Sequence, residues 1–392
     1  MKPFFRISIQ LFTFSFLLFN CNRQIAEERV VIIEEDDEKC IYNIQNEIVN
    51  RYLSEVVYKR DDYSYSAMPD YYKVQSDFRK DISKPIYVTW NETIEGSLSY
   101  IVCLYEGHNL MKEMRVKDNS VVLQNLTPGK EYLLTVDEQL TSSTKRIFSK
   151  VFNVTGPLRM IHVDGYRVGN IRDIGGWSTN DGGYLKYGLI YRGAEIYLEK
   201  EGKKKISITD EGIHTLIKDL HVQVELDYGG FSDTSPLEDY GIDFFHGREY
   251  GIIAYDKSLD LQRVRQRYRD CLRLIINALE KGKTVFTHCS AGADRTGTLF
   301  FILEALVGVN DSDLSKDYEL TSFSCLNTPR YRNAPEFVGL ISFINEHYSG
   351  STINDKVYTM ATLPLTEMGL GMSADEIQRL RELLIEYPSE QE

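Results

Sequence analysis

The sequence predicts an α/β domain, a central sheet flanked by helices, preceded by a small all-β sandwich. Three observations predict it. Between about Lys84 and residue 155, short apolar runs alternate at period two and are separated by turn signals. Beyond Pro157, strand-like runs alternate with helical ones. Within that second region a short apolar run, Thr284–Thr287, passes through a glycine-bearing loop into a helical run at Thr296–Val307.

The bulk numbers agree with this division. At 392 residues, with 42% hydrophobic and 26% charged residues, the chain is globular and long enough for more than one core. Its formal net charge of −13 excludes a sequence-independent nucleic-acid binder, which needs a basic footprint. The same charge argues against a polyanionic substrate unless the site is locally basic.

Residues 1–21 read as an export signal. Lys2 and Arg6 precede an almost wholly apolar run from Ile7 to Phe19, shorter than the ~20 residues of a membrane-spanning helix. Cys21 follows directly and resembles a bacterial lipoprotein cleavage site, although Phe19 and Asn20 are bulkier than that pattern's small residues. The alternative is an ordinary secretory signal beside an incidental cysteine. The expected location is outside the cytoplasm, lipid-anchored in the periplasm or outer membrane of a Gram-negative cell, with the lipid as the only membrane contact. The six cysteines show no CxxC pairing, so neither a zinc motif nor a disulfide framework is expected.

Residues 22–79 read as a tether, acidic at Glu34–Glu38, with a short helix over 41–59 from Ile41, Ile44, Ile48, Tyr52 and Val56. Residues 80–156 supply the strands: Ile86–Trp90, Leu98–Tyr105, Ser120–Leu123 and Leu133–Val136, the last after a Pro128-Gly129 turn. The Trp90 strand, the "NLTPGKEY" turn and the "YLLTV" strand resemble a fibronectin type III domain. The resemblance implies a spacer or a surface for a protein partner.

Residues 157–392 hold strands at Leu189–Tyr191, Val222–Leu226 and Thr284–Thr287. Helices are expected over Asp210–Leu220, from a Ser258 cap to about Lys281, over Thr296–Val307, and over Ser373–Tyr387 with a Ser-x-x-Glu cap.

His288-Cys289-Ser290-Ala291-Gly292-Ala293-Asp294-Arg295-Thr296 lies between the strand and the helix. Loop N–H groups and those of the first helical turn converge on an anion there. Gly292 lets the backbone curl, and Arg295 offers a bidentate fork to two phosphate oxygens. The positive field that holds phosphate also favours the Cys289 thiolate as nucleophile. Thr296 can hydrogen-bond the sulfur and help it leave. This chemistry requires no metal and no cofactor.

The string is the HCx₅R(S/T) signature. Together with "VGNIRDIGGW" (Val168–Trp177), "GLIYRGAE" (Gly188–Glu195), "DYELT" (Asp317–Thr321) and "GMSADEIQRLRELL", it resembles the tyrosine-phosphatase group that includes secreted bacterial enzymes with phosphotyrosine and phosphoinositide activity. The resemblance implies a cysteine-phosphatase fold and a phosphocysteine intermediate, with a phosphotyrosine protein or a small phosphate ester as substrate. It departs at Ala293, where the group carries lysine, and at Glu225-Leu226-Asp227, where the group reads Asp-Leu-Arg. The missing lysine at Ala293, with the net charge of −13, shifts the expectation from phosphoinositide towards phosphotyrosine or another monophosphate ester, and the second departure reverses a positive charge near the site, which bears on substrate class more than on catalysis. A protein that only captures phosphate is the alternative outside enzymology.

Asp294 is the first candidate for general acid, Asp256 the second and Asp227 the third. His288 is expected to support the loop. Arg172, Asp173 and Arg192 brace the loop or edge the pocket, or serve structure alone.

Overall fold

The computed structural model describes residues 31–34, 38–72, 80–91, 99–229 and 233–388; the leader and Cys21 lie outside these. The chain forms two units. One contains the residues up to Asn46 together with Lys84–Gly156, and the other contains Glu47–Ser83 together with Pro157–Glu392.

The first unit consists of two sheets around one core. Val31–Ile33, Ile86–Thr89 and Ser120–Leu123 form one sheet in that order. The other runs Ile41–Asn43, Thr144–Thr155, Glu131–Gln139, Ser99–Glu106, Asn109–Val116. Alternation sends Tyr132, Leu134 and Val136 inward, where they meet Val102, Phe152 and Trp90. The Trp90 ring stands edge-on to Tyr100 at 5.3 Å, and the Thr127 N–H donates to the Tyr132 hydroxyl at 2.9 Å, closing the Pro128-Gly129 turn. Asn109–Val116 was not legible in the sequence. It is an edge strand, mostly exposed and carrying Lys112, Glu113 and Arg115, with Met114 and Val116 packed against the core, so its apolar signal is short.

The expected tether over 22–79 is corrected by this division. Ile41–Asn43 is a strand parallel to Asn153–Thr155 rather than the start of a helix, and the helix spans only Glu47–Glu55. From Glu47 onward the segment belongs to the second unit because its aromatic residues are core. Tyr52, Tyr58, Tyr63 and Met68 are buried there. The hydroxyls of Tyr52 and Tyr58 donate to one Glu319 oxygen at 2.6 and 2.7 Å, Ser66 donates to the other, and the Arg332 N–H donates to that second oxygen at 2.8 Å. The Arg332 guanidinium lies between the Tyr58 and Tyr63 rings, 4.0 and 4.3 Å from their centroids.

The central sheet of the second unit runs Arg172–Asp173, Ile190–Ala194, Thr284–Cys289, Val222–Asp227, Asp243–Phe245. The first pair is antiparallel and the others parallel. Both faces are covered, as a parallel sheet requires. Val285, Cys289, Val224 and Leu226 face a core built with Gln262–Glu280, Asp294–Val307, Pro335–His347, Ile353–Thr362 and Ala374–Leu384. Phe286, Tyr191 and Val222 face a smaller core with Ile213, Leu216 and Leu220. The expected helix from Ser258 to Lys281 is interrupted: Asp256–Leu259 is a separate short helix, and the long one begins at Gln262 without a side-chain cap. Ser373 caps the last helix as expected, in a reciprocal box with Glu376, but that helix stops at Leu384 because Ile385–Glu386 pairs with Tyr184–Leu185. Among the described residues no helix is long and apolar enough to cross a membrane.

Glu319→Ala strands two buried tyrosine hydroxyls and the Ser66 hydroxyl at once. Each orphaned group costs ~1–3 kcal/mol, so urea unfolding should show a loss of at least ~3 kcal/mol, whereas a tether would show none.

Candidate active site

Cys289 ends the central strand, buried, with its side chain on the larger-core face. The chain then turns through Ser290–Ala293 into Asp294–Val307. Ala293 is the cap residue of that helix and provides no side-chain acceptor, so the first-turn N–H groups are left to the loop. Gly292 has φ +63°, and a Cβ there would come within 2.4 Å of the Gly193 carbonyl oxygen. Any larger residue would push the loop off the neighbouring strand. The Thr296 hydroxyl donates to Cys289 Sγ at 3.2 Å, and Arg295 Nη1 donates to the Gly229 carbonyl at 2.6 Å.

The loop is held from behind by a buried network. Arg192 Nη2 donates to the Gly292 carbonyl at 3.0 Å, and its Nη1 donates to Asp317 Oδ2. Arg172 Nε donates to Asp317 Oδ1 at 2.9 Å and its Nη1 to Asn170 Oδ1 at 2.8 Å. Asn170 Nδ2 in turn donates to the carbonyls of Ala291 and Gly292 at 2.9 and 3.1 Å. Arg172 and Arg192 therefore brace the loop. Asp173 does not touch it; its carboxylate accepts from the N–H groups of Gly175 and Gly188 at 2.9 and 2.7 Å.

Asp294, expected to be the acid, is held in an ion pair at the loop's edge. Its carboxylate accepts both Arg330 Nε at 2.6 Å and Nη2 at 2.7 Å, and the Tyr255 hydroxyl donates to it as well. Burial pushes this carboxyl up, but Arg330 and Tyr255 outweigh burial and hold it below the usual carboxylate range. An acid must carry a proton, so acid work by Asp294 requires the Arg330 fork to open. Asp227 lies elsewhere. It pairs in register with His288, and alternation turns its side chain to the face opposite Cys289. Its Oδ1 accepts from the Gly229 N–H at 2.6 Å. Asp256 opens the short helix next to Tyr255, and its carboxyl faces Gly339.

His288 is wholly buried with Nε2 2.9 Å from Glu225 Oε1. Burial lowers its proton affinity, but Glu195, Glu225 and Asp227 outweigh that and raise its pKa to about 10. Burial raises the Glu195 carboxyl to about 7. All five described cysteines are free thiols, so no described cysteine is bonded to Cys289. A separate depression of about 570 Å³, lined by Tyr58, Arg60, Asp311, Asn354 and Arg381, contains none of the loop residues.

Sequence reasoning missed Asn170, Tyr255, Arg330 and Asp317 as site residues. Asn170 and Asp317 stood inside quoted motifs, so a signal existed; Tyr255 and Arg330 lie in unpatterned loops and left none.

Asp317→Asn leaves Arg172 and Arg192 buried without their shared counter-charge. Burial pushes the Asp317 carboxyl up, but the two arginines outweigh it and hold it low. Its contribution is thus present above the ordinary carboxylate range and lost as pH falls through the depressed value. Denaturant titration should show Asp317→Asn less stable by ~3–5 kcal/mol at neutral pH, with the gap narrowing in strong acid. An equal gap at all pH values would contradict this assignment.

Comparison with known proteins accords with this geometry. Residues 163–386, more than half the chain, match the model of the tyrosine phosphatase family. A curated Cupriavidus necator protein named as a tyrosine-protein phosphatase is 26% identical over 172 residues, covering 38% of this chain and 59% of that protein. The chain thus spans less than two thirds of the length of that relative. Two solved structures each align over 38% of this chain and 80% of theirs with a TM-score of 0.26: the core catalytic domain of the PP-IP phosphatase SIW14 from S. cerevisiae, 15% identical, and TpbA from P. aeruginosa, 18% identical. Scores that low carry no weight for the fold, and the assignment rests on the matched family pattern: the chain belongs to the tyrosine phosphatase family.

Proposed function

We propose that this chain is a cysteine-dependent phosphatase that hydrolyses phosphate monoesters through a phosphocysteine intermediate, with protein phosphotyrosine as its substrate. The observation that carries the reading is Cys289 at the floor of a loop that curls at Gly292 into an uncapped helix start, with the Thr296 hydroxyl on its sulfur. The thiolate attacks phosphorus in line; the S–P bond forms as the ester P–O bond breaks. Arg295 and the loop N–H groups hold the equatorial oxygens, where charge gathers. The leaving oxygen takes a proton from an acid. Water then attacks phosphorus, the S–P bond breaks, and Thr296 stabilises the returning thiolate.

Asp294, at the end of the loop, takes the role of acid in this reading once the Arg330 and Tyr255 contacts open; Asp256 is the second candidate. Preference for a monophosphate rests on charge. Ala293 is neutral where the resembling group has lysine, and Asp294 cancels Arg330. The reading extends to export and lipidation at Cys21, in the periplasm or outer membrane, and to the two-sheet unit as a fibronectin type III-like module presenting a surface to a protein partner.

With p-nitrophenyl phosphate, Cys289→Ser should abolish turnover; a folded parent protein without turnover would favour phosphate capture instead. Asp294→Asn should lower kcat by ~10²–10⁴, with the loss largely relieved by a more acidic leaving group. The fall for Asp256→Asn should not depend on the leaving group; the reverse pattern would move the acid role to Asp256. Phosphotyrosine peptides should be turned over faster than inositol phospholipids when tested side by side, and the opposite order would overturn the substrate assignment.

A further inference from the structure

The C-terminal ends of three adjacent parallel strands bring three ligand-type groups together. His288 on Thr284–Cys289 is in register with Asp227 on one side and Gly193 on the other. Alternation puts His288 and Asp227 on the face opposite the Cys289 side chain, and Glu195, two residues beyond Gly193, joins them. All three are buried. His288 Nδ1 lies 3.8 Å from Asp227 Oδ1 and 3.9 Å from Glu195 Oε1, too far for hydrogen bonds. His288 Nδ1, Asp227 Oδ2 and Glu195 Oε2 are buried without any hydrogen-bond partner.

The other side of the imidazole is fixed. Nε2 meets Glu225 Oε1 at 2.9 Å, and the Ser235 hydroxyl donates to the second Glu225 oxygen. With Nε2–H held by Glu225, Nδ1 is the ring position turned to Asp227 and Glu195, and a cation bound there would displace its proton. This is how metal-ligating histidines are oriented. Charge points the same way. Glu195, Glu225 and Asp227 offer three carboxylates against one imidazole, and even an imidazolium would leave a buried negative excess, which is costly unless a cation balances it.

We propose that Glu195, Asp227 and His288 bind a divalent transition-metal cation of the zinc class, with Glu225 orienting the histidine. One ligand atom from each lies within 4.8 Å of the others. Ligands ~2.0–2.2 Å from a tetrahedral ion stand ~3.4 Å apart, so the side chains must draw in by about 1 Å to close the set. A nitrogen with two carboxylate oxygens suits Zn²⁺ or Co²⁺ better than the all-oxygen sets preferred by Mg²⁺ and Ca²⁺. A solvent molecule completes four-coordination. The ion's role is structural. It ties three strand ends beneath the phosphate loop, and no step of the proposed hydrolysis passes through it.

The test uses the full chain carrying Cys289→Ser, so that the nucleophile cannot ligate metal, stripped with chelator and titrated with Co²⁺. The expected result is one equivalent bound, with visible d–d absorption, no thiolate-to-cobalt charge transfer, displacement by Zn²⁺ and a higher melting temperature. Asp227→Asn and Glu195→Gln should each weaken binding at least tenfold, and Glu225→Gln by ~10–100-fold, as for the removal of a partner that orients a ligand. A folded parent that binds no Co²⁺ would overturn the proposal. So would binding undiminished in Asp227→Asn and Glu195→Gln, or charge-transfer bands that place the ion on Cys40 or Cys325. If a substituted protein fails to fold by circular dichroism, the parent titration and its spectrum decide.

Discussion

The Asp317 carboxylate, shared between two buried arginines, is the constraint on which the phosphate loop depends. A loop of this kind must present its N–H groups inward, so its carbonyls point outward into the protein and need donors there. Arg192 supplies one directly to Gly292, and Arg172 supplies the others through Asn170. Both guanidinium groups would be intolerable in that core without an anion between them. Asp317 holds them in place, and they hold the loop.

The same economy of charge runs through the rest of the site. Arg330 and Asp294 cancel each other at the loop's edge, and the Tyr255 hydroxyl ties that pair to Tyr318 at 2.7 Å. On the opposite face of the sheet, the balance around His288 tilts negative. The two sides of one β-strand thus present opposite electrostatic problems. Cys289 faces a cradle of donors, while His288, one residue earlier, faces a cluster of acceptors.

Glu319 does for the segment Glu47–Ser83 what Asp317 does for the loop. Three hydroxyls and a backbone N–H converge on it, and Arg332 stacked between two tyrosine rings closes the arrangement. The segment contributes to the second unit by burial of its aromatic residues, although an intervening stretch of sequence belongs to the first unit.

The sequence by itself determined the α/β class of the second unit, the strand–loop–helix around Cys289, and strands such as Ile86–Thr89, Ser99–Glu106 and Val222–Asp227, because period-two and period-3.6 burial and turn chemistry are local; Thr144–Thr155 and Lys203–Ile208 emerged only in the structure. Cys289, Gly292, Arg295 and Thr296 were legible because the phosphate loop is one continuous segment whose chemistry needs those residue types at fixed spacing. The tertiary structure alone decided what depends on partners distant in the chain. The tyrosines of residues 52–63 read as an irregular tether until Glu319 and Arg332 were seen beside them. The grip of Arg330 on Asp294, 36 residues away, left no trace in the local sequence. Glu195, Asp227 and His288 form no motif, since they stand on three strands joined only by backbone hydrogen bonds. Pairing of strands, and of charges across them, is long-range, and no local spacing encodes it.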